Sequence, residues 1–283
     1  MSGGALYDKS ANDAAATVIA NYSTSFSLAT RLLGPRVRPE VRNIYALVRI
    51  ADEIVDGAAE EAGLPRPTQR LLLDELEADT LAAVARGFSA NLIVHAFALT
   101  ARDSGIGAEL VRPFFASMRT DLEQSQHDAA SHDAYVYGSA EVVGLMCLQV
   151  FVNAGHPSIT APAAELVDGA RRLGAAFQDI NFLRDYADDS ERLGRDYLGL
   201  DGAGRRDEVL ARIDRDLDAA AAVIPSLPED CRRAVAAAHG LFAELAKRLR
   251  DDASSGRVSV PKAAKARIAA RAFAGRTPRR SDA

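Results

Sequence analysis

The most regular feature of the chain is the recurrence of apolar residues every three or four positions over long stretches. This spacing places apolar side chains on one face of a helix, so it predicts amphipathic helices rather than strands, whose side chains alternate. The pattern predicts ten helices, at residues 8–21, 38–56, 68–86, 90–104, 107–124, 133–153, 160–190, 204–223, 229–252 and 261–273.

Short stretches with glycine and proline interrupt this pattern, for example at Leu33-Gly34-Pro35 and Gly155-His156-Pro157. Such residues favour turns, so we interpret the stretches as loops between helices. No repeat of solenoid length and no long flexible linker is visible, which favours one domain over residues 1–275. The pattern fades before residues 276–283, which we expect to form a disordered tail.

Composition strengthens the helical prediction. Alanine occupies 55 of the 283 positions, and it is the strongest helix former and a residue depleted in strands. We therefore predict an all-α fold. The most apolar stretch, Val142 to Val152, is about half as long as a membrane-spanning helix, so no span is expected.

The charge and the cysteines limit the partners and the compartment. The net charge of −5, from 34 basic and 39 acidic residues, argues against a nucleic-acid partner, which would favour a basic surface. Cys147 and Cys231 lie far apart and have neither the pattern of a disulfide framework nor that of a zinc site. The N-terminus lacks the apolar run of a secretory signal. These features predict a cytoplasmic protein.

Two predicted helices each carry a line of polar residues through an otherwise apolar sequence. Residues three or four positions apart share a helix face. The first polar line consists of Arg42, Tyr45, Arg49, Asp52 and Asp56. The second polar line consists of Gln178, Asn181, Asp185 and Asp189. An isolated pair of acids usually belongs to a solvated face, but the apolar neighbours indicate that both helices are largely buried.

Carboxylates one turn apart on a buried helix repel each other and are costly to remove from water. A cation must therefore offset their charge. Mg²⁺, or Mn²⁺ in its place, binds oxygen ligands and keeps coordination positions for substrate phosphates. With Arg49 beside them, the four aspartates of the two lines are predicted to form a metal-dependent diphosphate clamp.

Several segments, in this order, resemble the squalene/phytoene synthase family. They are Tyr22-Ser23-Thr24-Ser25-Phe26-Ser27, the stretch from Ile44 to Asp56, Met118-Arg119-Thr120-Asp121, Tyr135-Val136-Tyr137-Gly138, and the stretch from Gln178 to Asp185. The similarity extends over about residues 22–267. It implies a single all-α domain of the isoprenoid-synthase type around a central cavity, and a head-to-head (1′–1) condensation of two prenyl diphosphates.

The resemblance also assigns roles to residues. The catalytic residues would be Arg49, Tyr135, Asp52, Asp56, Asp185 and Asp189. The metal ligands would be Asp52, Asp56, Asn181, Asp185 and Asp189. The substrate contacts would be Ser25, Phe26, Tyr45, Arg49, Arg119, Gln178, Asn181, Arg184 and Arg195. For Tyr135, the amides and several of the arginines, a structural role as an internal ion pair or a satisfied core group stays open.

Within the family, the sequence from Asp52 to Asp56 is most similar to bacterial phytoene synthases. This implies geranylgeranyl diphosphate as substrate and phytoene as product, reached through prephytoene diphosphate by proton loss and hence without NADPH. Thr30 agrees with the C40 product, because relatives that make C30 products tend to carry a bulky aromatic residue there. The alternatives are a squalene or dehydrosqualene synthase using farnesyl diphosphate, a non-catalytic relative, and a chain-elongating prenyltransferase, whose first motif has different spacing.

Three positions differ from the family's pattern. Glu141 stands where glycine is common, Tyr22 where some relatives carry histidine, and Phe242 where a tyrosine is expected. The last predicted helix, from Lys262 towards Arg276, is basic and weakly amphipathic. It would lie either in solvent or against an anionic membrane surface.

Overall fold

The computed structural model of the chain describes residues 2–22, 29–123, 129–188, 203–251 and 258–275. Within these ranges every regular element is helical. The α-helices, in chain order, are α1 (Gly3–Tyr22), α2 (Arg38–Val55), α3 (Ala58–Glu61), α4 (Arg66–Arg86), α5 (Leu92–Ser104), α6 (Ala108–Glu123), α7 (Ala129–Val136), α8 (Val142–Asn153), α9 (Ala164–Asp188), α10 (Ala203–Val223), α11 (Glu229–Asp251) and α12 (Lys262–Phe273).

All ten predicted helices are present, and the all-α prediction is confirmed. The first helix begins at Gly3, earlier than predicted, where the Ser2 hydroxyl accepts a hydrogen bond from the Ala5 backbone N–H at 3.3 Å. The short helix α3 occupies part of a predicted loop. The proposed tail, residues 276–283, lies outside the described residues.

Glycine ends two of the helices, as the sequence pattern indicates. Gly87 after α4 and Gly105 after α5 have φ angles of 82° and 75°. This left-handed conformation is accessible to glycine without steric cost. At the start of α5 the Asn91 side chain accepts hydrogen bonds from the backbone N–H groups of Ile93 and Val94, which satisfies donors that the first turn leaves open.

The helices with the polar lines are held apart by a third helix. The first polar line lies on α2 and the second on α9, while α8 packs against both of them. α9 also packs along α10, and α1 covers α2 and α5. The main hydrophobic core is built around large, fully buried side chains such as Phe97, Phe114, Phe115, Met146 and Leu148.

One predicted helix, residues 133–153, is interrupted by a π-helical segment at Tyr137–Glu141 between α7 and α8. A π segment inserts one residue into the helix and so rotates the residues on either side relative to each other. Gly138 lies within it, packed so closely against Ser117 and the Pro113 carbonyl that a side chain has no room. The Ser117 hydroxyl donates to the Tyr135 carbonyl at 3.1 Å.

Two glycines bring α8 and α9 into close backbone contact. A Cβ atom on Gly144 would lie 2.7 Å from the Ala170 carbonyl oxygen, and one on Gly174 would lie 2.7 Å from the Ala140 carbonyl oxygen. Both distances are shorter than van der Waals contact. Larger residues at either position would therefore push the helices apart.

The continuous helical run Ser131–Asn153 is long and apolar enough to cross a membrane by length and composition alone. It is longer than the apolar stretch identified in the sequence because the π segment joins α7 to α8. Its residues Ser139, Val143 and Cys147 line an internal cavity, and Val142 and Met146 lie in the core. The run therefore has the surroundings of a core helix.

Candidate active site

A cavity of about 590 Å³ lies between α2, α8 and α9. Most of its wall is apolar, and the apolar lining includes Ile44, Val48, Val143, Leu148, Phe151, Leu166, Leu173, Phe177, Ile224 and Leu227. Small residues, among them Gly144 and Gly174, line it where the helices come closest. The Cys147 thiol also faces it, and burial raises its pKa to about 12, which keeps it protonated.

The structure brings both polar lines to this cavity. From the first line, Tyr45, Arg49, Asp52 and Asp56 contribute to the wall. From the second line, Gln178, Asn181 and Asp185 do so, and Arg184 and Tyr135 join them. Arg42, the first member of the first line, is not among the lining residues. Asp189, Ser25, Phe26 and Arg195 lie outside the described residues.

A series of side-chain contacts connects the first polar line to α9. The negative charge of Asp121 on α6 acts on Asp52. Asp121 accepts a hydrogen bond at 2.8 Å from the Tyr135 hydroxyl, and the Tyr135 ring lies 5.9 Å from that of Phe182 on α9. Asp121 and Tyr135 therefore lie between Asp52 and the helix that carries the second polar line.

Asp52 is the most electrostatically perturbed carboxylate of the site. Burial raises its pKa to about 7, Arg49 opposes this, and the charges of Asp121, Asp56 and Glu53 add to it. Its side chain is 39% exposed, but that surface faces the cavity, where protein surrounds it. The raised pKa reflects the cost of burying this carboxylate close to three other acids.

Glu53, the remaining acid of this motif, is engaged elsewhere. It forms an ion pair with Arg49, and its other oxygen accepts a hydrogen bond from the Ala58 backbone N–H at 2.8 Å. Glu53 therefore fixes the start of α3 and one side of Arg49, rather than offering a free ligand.

Arg49 occupies the centre of several contacts. Its guanidinium lies 4.5 Å from the centre of the Tyr22 ring, and its Nη1 is 4.0 Å from Asp52 Oδ2. Its Nε is buried and forms no hydrogen bond within the described part of the chain. Tyr22, one of the positions that differ from the family's pattern, thus provides an aromatic face for this arginine.

Arg184 pairs directly with its neighbour Asp185, a member of the second polar line. Arg184 Nε donates to Asp185 Oδ1 at 2.9 Å, and a second guanidinium nitrogen bonds the other carboxylate oxygen. Such a fork can equally grip a phosphate. If Asp185 binds a metal ion, Arg184 is released to face the substrate.

Arg119 is the one described residue of the predicted substrate contacts that does not line the cavity. Its guanidinium donates to Asp74 at 2.6 Å and also pairs with Glu77 on α4. Arg119 therefore has the internal ion pairs that a structural role implies. Its neighbour in the motif, Asp121, does line the cavity, where it accepts the hydrogen bond from the Tyr135 hydroxyl.

The other two positions that differ from the family's pattern also have partners. Glu141 accepts a hydrogen bond from Arg171 at 2.6 Å, so its charge is paired. Phe242 stacks on Phe177 with ring centres 3.7 Å apart. Because Phe177 lines the cavity, Phe242 supports the wall from behind.

A buried ion network behind the second polar line was not predicted from the sequence. Asp179, 1% exposed, accepts hydrogen bonds from Arg212 Nε at 2.8 Å and lies 3.1 Å from His132 Nε2. His132 is on α7, Asp179 on α9 and Arg212 on α10. In the sequence, the network is indicated only by Asp179 itself, an acidic residue that stands between Gln178 and Asn181 but does not share their helix face.

The described residues contain no group of three or more His, Cys, Asp or Glu side chains placed to hold a metal ion. The fourth predicted ligand aspartate is outside them. The donors that do reach the cavity are carboxylate and amide oxygens, from Asp52, Asp56, Asp185 and Asn181. Oxygen donors of this kind suit Mg²⁺ or Mn²⁺.

Comparison with known sequences identifies the family to which this chain is similar. The profile of the Squalene/phytoene synthase family matches residues 19–206. The 15-cis-phytoene synthase of Paracoccus sp. is 32% identical over 267 residues, which cover 86% of this chain and 84% of that protein. The phytoene synthase of Pseudescherichia vulneris is 30% identical, with 82% of this chain and 80% of that protein covered.

A solved structure shares the fold. A dehydrosqualene synthase crystallised with a ligand superposes with a TM-score of 0.78 and 21% sequence identity, over 95% of this chain and 97% of that one. At this identity the likeness concerns the fold. It agrees with the helical domain around a central cavity that the sequence predicts.

Proposed function

Because this chain belongs to the squalene/phytoene synthase family, we propose that it joins two molecules of geranylgeranyl diphosphate head to head and so makes phytoene for carotenoid biosynthesis. It is a prenyltransferase that acts on prenyl diphosphates. The observation that carries the proposal is the cavity, to which both polar lines contribute side chains while most of its wall is apolar. A diphosphate and a prenyl chain require these two environments.

The metal ligands would be Asp52, Asp56 and Asp185, with the amide oxygen of Asn181 beside them. Their oxygen donors fit Mg²⁺ or Mn²⁺, and the raised pKa of Asp52 fits a site that a cation completes. When bound, the ion neutralises charge on the departing diphosphate. Asp189 is proposed as a further ligand.

Phosphate binding is proposed for Arg49 and Arg184. Both guanidiniums lie at the cavity, and both can present two N–H donors to one phosphate. Tyr45 and Gln178 line the same part of the wall and would orient the substrate. Ser25, Phe26 and Arg195 are proposed as further substrate contacts.

The reaction itself involves two ionisations. The C1–O bond of one substrate breaks, diphosphate leaves with the electron pair, and the double bond of the second substrate attacks the allylic cation. Proton loss closes the cyclopropane ring of prephytoene diphosphate. Loss of its diphosphate, rearrangement and a second proton loss give the hydrocarbon, so we propose that NADPH is not required.

The residues around Tyr135 would protect these cations. The Tyr135 hydroxyl is fixed by Asp121, and its ring lies beside Phe182, so aromatic faces are held in place where positive carbon forms. The apolar wall excludes water, which would otherwise quench the cation.

The assignment is tested by incubating the purified protein with Mg²⁺ and either geranylgeranyl or farnesyl diphosphate, without nicotinamide. We expect diphosphate release and phytoene from geranylgeranyl diphosphate. A C30 hydrocarbon formed preferentially from farnesyl diphosphate would identify a dehydrosqualene synthase instead. No release from either substrate with Mg²⁺ or Mn²⁺ would contradict the enzymatic proposal.

Thr30 offers a test of chain length. It is buried and lines the cavity, so Thr30→Phe should shorten the space for a prenyl tail and shift the preference from geranylgeranyl towards farnesyl diphosphate by about tenfold, because a misfitting group in a packed site costs about 1–3 kcal/mol. Thr30→Val, of nearly equal size, is the control. An unchanged substrate ratio in a folded Thr30→Phe protein would show that this wall does not limit the chain.

We also propose that the protein works in the cytoplasm and contacts the inner face of the membrane through α12. One side of α12 packs on α11 through Ala264 and Ala272. Lys262, Arg267 and Arg271 are exposed at different positions around the helix. A short exposed helix with three basic side chains suits anionic lipids, into which substrate and product partition.

Replacing Lys262, Arg267 and Arg271 by glutamine should weaken binding to vesicles that contain phosphatidylglycerol by about 10²-fold, because each basic residue contributes roughly 1 kcal/mol. Co-sedimentation measures the effect. Glutamine is preferable to deleting the helix, since deletion would uncover the apolar face of α11. Equal sedimentation of both proteins would contradict the role of α12.

A further inference from the structure

Arginines are concentrated where the chain enters α2. Between residues 31 and 42 there are four, at Arg31, Arg36, Arg38 and Arg42. Arg36 is neutralised, because it donates two hydrogen bonds of 2.9 Å to the Asp230 carboxylate. The other three form no ion pair with any acid in the described part of the chain.

These three arginines lie together. Arg38 donates through Nε to the Leu33 carbonyl at 3.0 Å and through Nη2 to the Arg31 carbonyl at 3.1 Å, which ties the segment at Arg31 against the first turn of α2. Arg42 follows one turn later on the same face. Burial lowers the pKa of Arg42, and the positive charges of Arg38 and Arg31 lower it further.

Arg42 is the unsatisfied member of this cluster. Its Nε is buried and has no hydrogen-bond partner among the residues that the structure describes. Glu40, the nearest acid along the helix, projects from a different face and bonds the Thr100 hydroxyl. A buried donor without a partner, next to two further cations, is costly unless an anion completes the arrangement.

We propose that Arg31, Arg38 and Arg42 form an anion site that binds a phosphate group, separate from the diphosphate contacts proposed for Arg49 and Arg184. Ten residues of helix separate Arg42 from Asp52, which corresponds to about 15 Å. The neighbouring Leu33 and Val41 line the cavity, so the site lies beside its apolar wall. The phosphate belongs either to a lipid headgroup or to a free phosphate ion.

The test compares Arg42→Gln with Arg112→Gln, which removes an equal charge from an exposed position on α6. Thermal unfolding is followed in EDTA with increasing inorganic phosphate at constant ionic strength. Loss of a charge-assisted contact should weaken the apparent phosphate affinity of the Arg42→Gln protein by about tenfold and leave the control unchanged. Phosphate bound at Arg49 would stabilise both variants equally. The difference between their apparent phosphate affinities therefore reports on the site at Arg42.

A second variant and a second measurement separate the remaining outcomes. Arg31→Gln, at an exposed position, should show the same loss even if Arg42→Gln folds poorly. Equal phosphate responses in wild type, Arg31→Gln and Arg112→Gln would overturn the proposal.

The source of the phosphate is identified with vesicles of phosphatidylcholine, with and without phosphatidylglycerol. Weaker binding of the cluster variants only to the anionic vesicles indicates a lipid phosphate. Unchanged binding to both kinds of vesicle indicates the free ion.

Discussion

Asp52→Asn is expected to abolish nearly all turnover and at the same time to stabilise the metal-free protein. The substitution keeps the shape of the side chain but removes its charge, so the proposed metal loses a ligand and the leaving diphosphate loses charge compensation. Removal of one preorganised electrostatic contact typically costs 10²–10³-fold in turnover. Release of diphosphate from geranylgeranyl diphosphate measures this loss.

The gain in stability follows from the pKa of Asp52. In the folded chain this pKa is about 7, well above its ordinary value of 3.8, chiefly because of burial. Between these two pH values the folded chain binds more protons than the unfolded chain, so this group makes the free energy of unfolding fall as pH rises. In EDTA, Asp52→Asn should therefore exceed wild type in melting temperature above pH 7, with a smaller difference at pH 5.

The control for this prediction is Asp13→Asn, which neutralises an exposed carboxylate on α1 and should alter neither turnover nor the pH dependence of melting. Near-normal turnover of the Asp52→Asn protein would contradict the metal assignment. A parallel pH dependence of melting in wild type and Asp52→Asn would show instead that Asp52 is not the penalised carboxylate.

Asp179→Asn is expected to produce the largest loss of stability among the substitutions considered. Asp179 is buried between His132 and Arg212, and neutralising it leaves the Arg212 guanidinium without its charge partner. Because Arg212 is 36% exposed, water compensates part of this loss, and we expect a cost of about 2 kcal/mol. For a domain of this size such a loss corresponds to a fall in melting temperature of roughly 5 °C.

The same substitution should reduce activity beyond the loss of folded protein. The network holds α7, which carries Tyr135, against α9, which carries Gln178 and Asn181. Turnover is therefore compared at a temperature where both proteins are folded, as judged by circular dichroism. Asp168→Asn is the control, because Asp168 lies on the same helix and forms an exposed pair with Arg172, which contributes little. Equal melting temperatures of the two variants would contradict the role of the network.

Helix positions and the two polar lines could be predicted from the sequence because they depend on local periodicity. Residues 42 to 56 repeat polar side chains every three or four positions, and a helix necessarily places these on one face. The helices predicted at residues 68–86 and 90–104 end before Gly87 and Gly105, whose left-handed backbone is readily accessible to glycine. The family motifs added which reaction to expect.

Other features depend on contacts between distant segments and left no periodic signal. Arg119 and Asp121 stand two residues apart in one motif, yet only Asp121 reaches the cavity, because α4 supplies two acids that pair with Arg119. The π segment at Tyr137–Glu141 arises where Gly138 fits against α6. Neither partner could be identified without knowing which helices are neighbours.

The sequence by itself determined the helices, the family and the reaction class, since these are recorded in local spacing and in short ordered motifs. Tertiary structure alone decided the electrostatics: the raised pKa of Asp52, the pairing of Arg184 with Asp185, the buried network at Asp179 and the unpaired cluster around Arg42. The physical reason is that the energy of a charge depends on its burial and on its neighbours in space, whereas a helix requires only its neighbours along the chain.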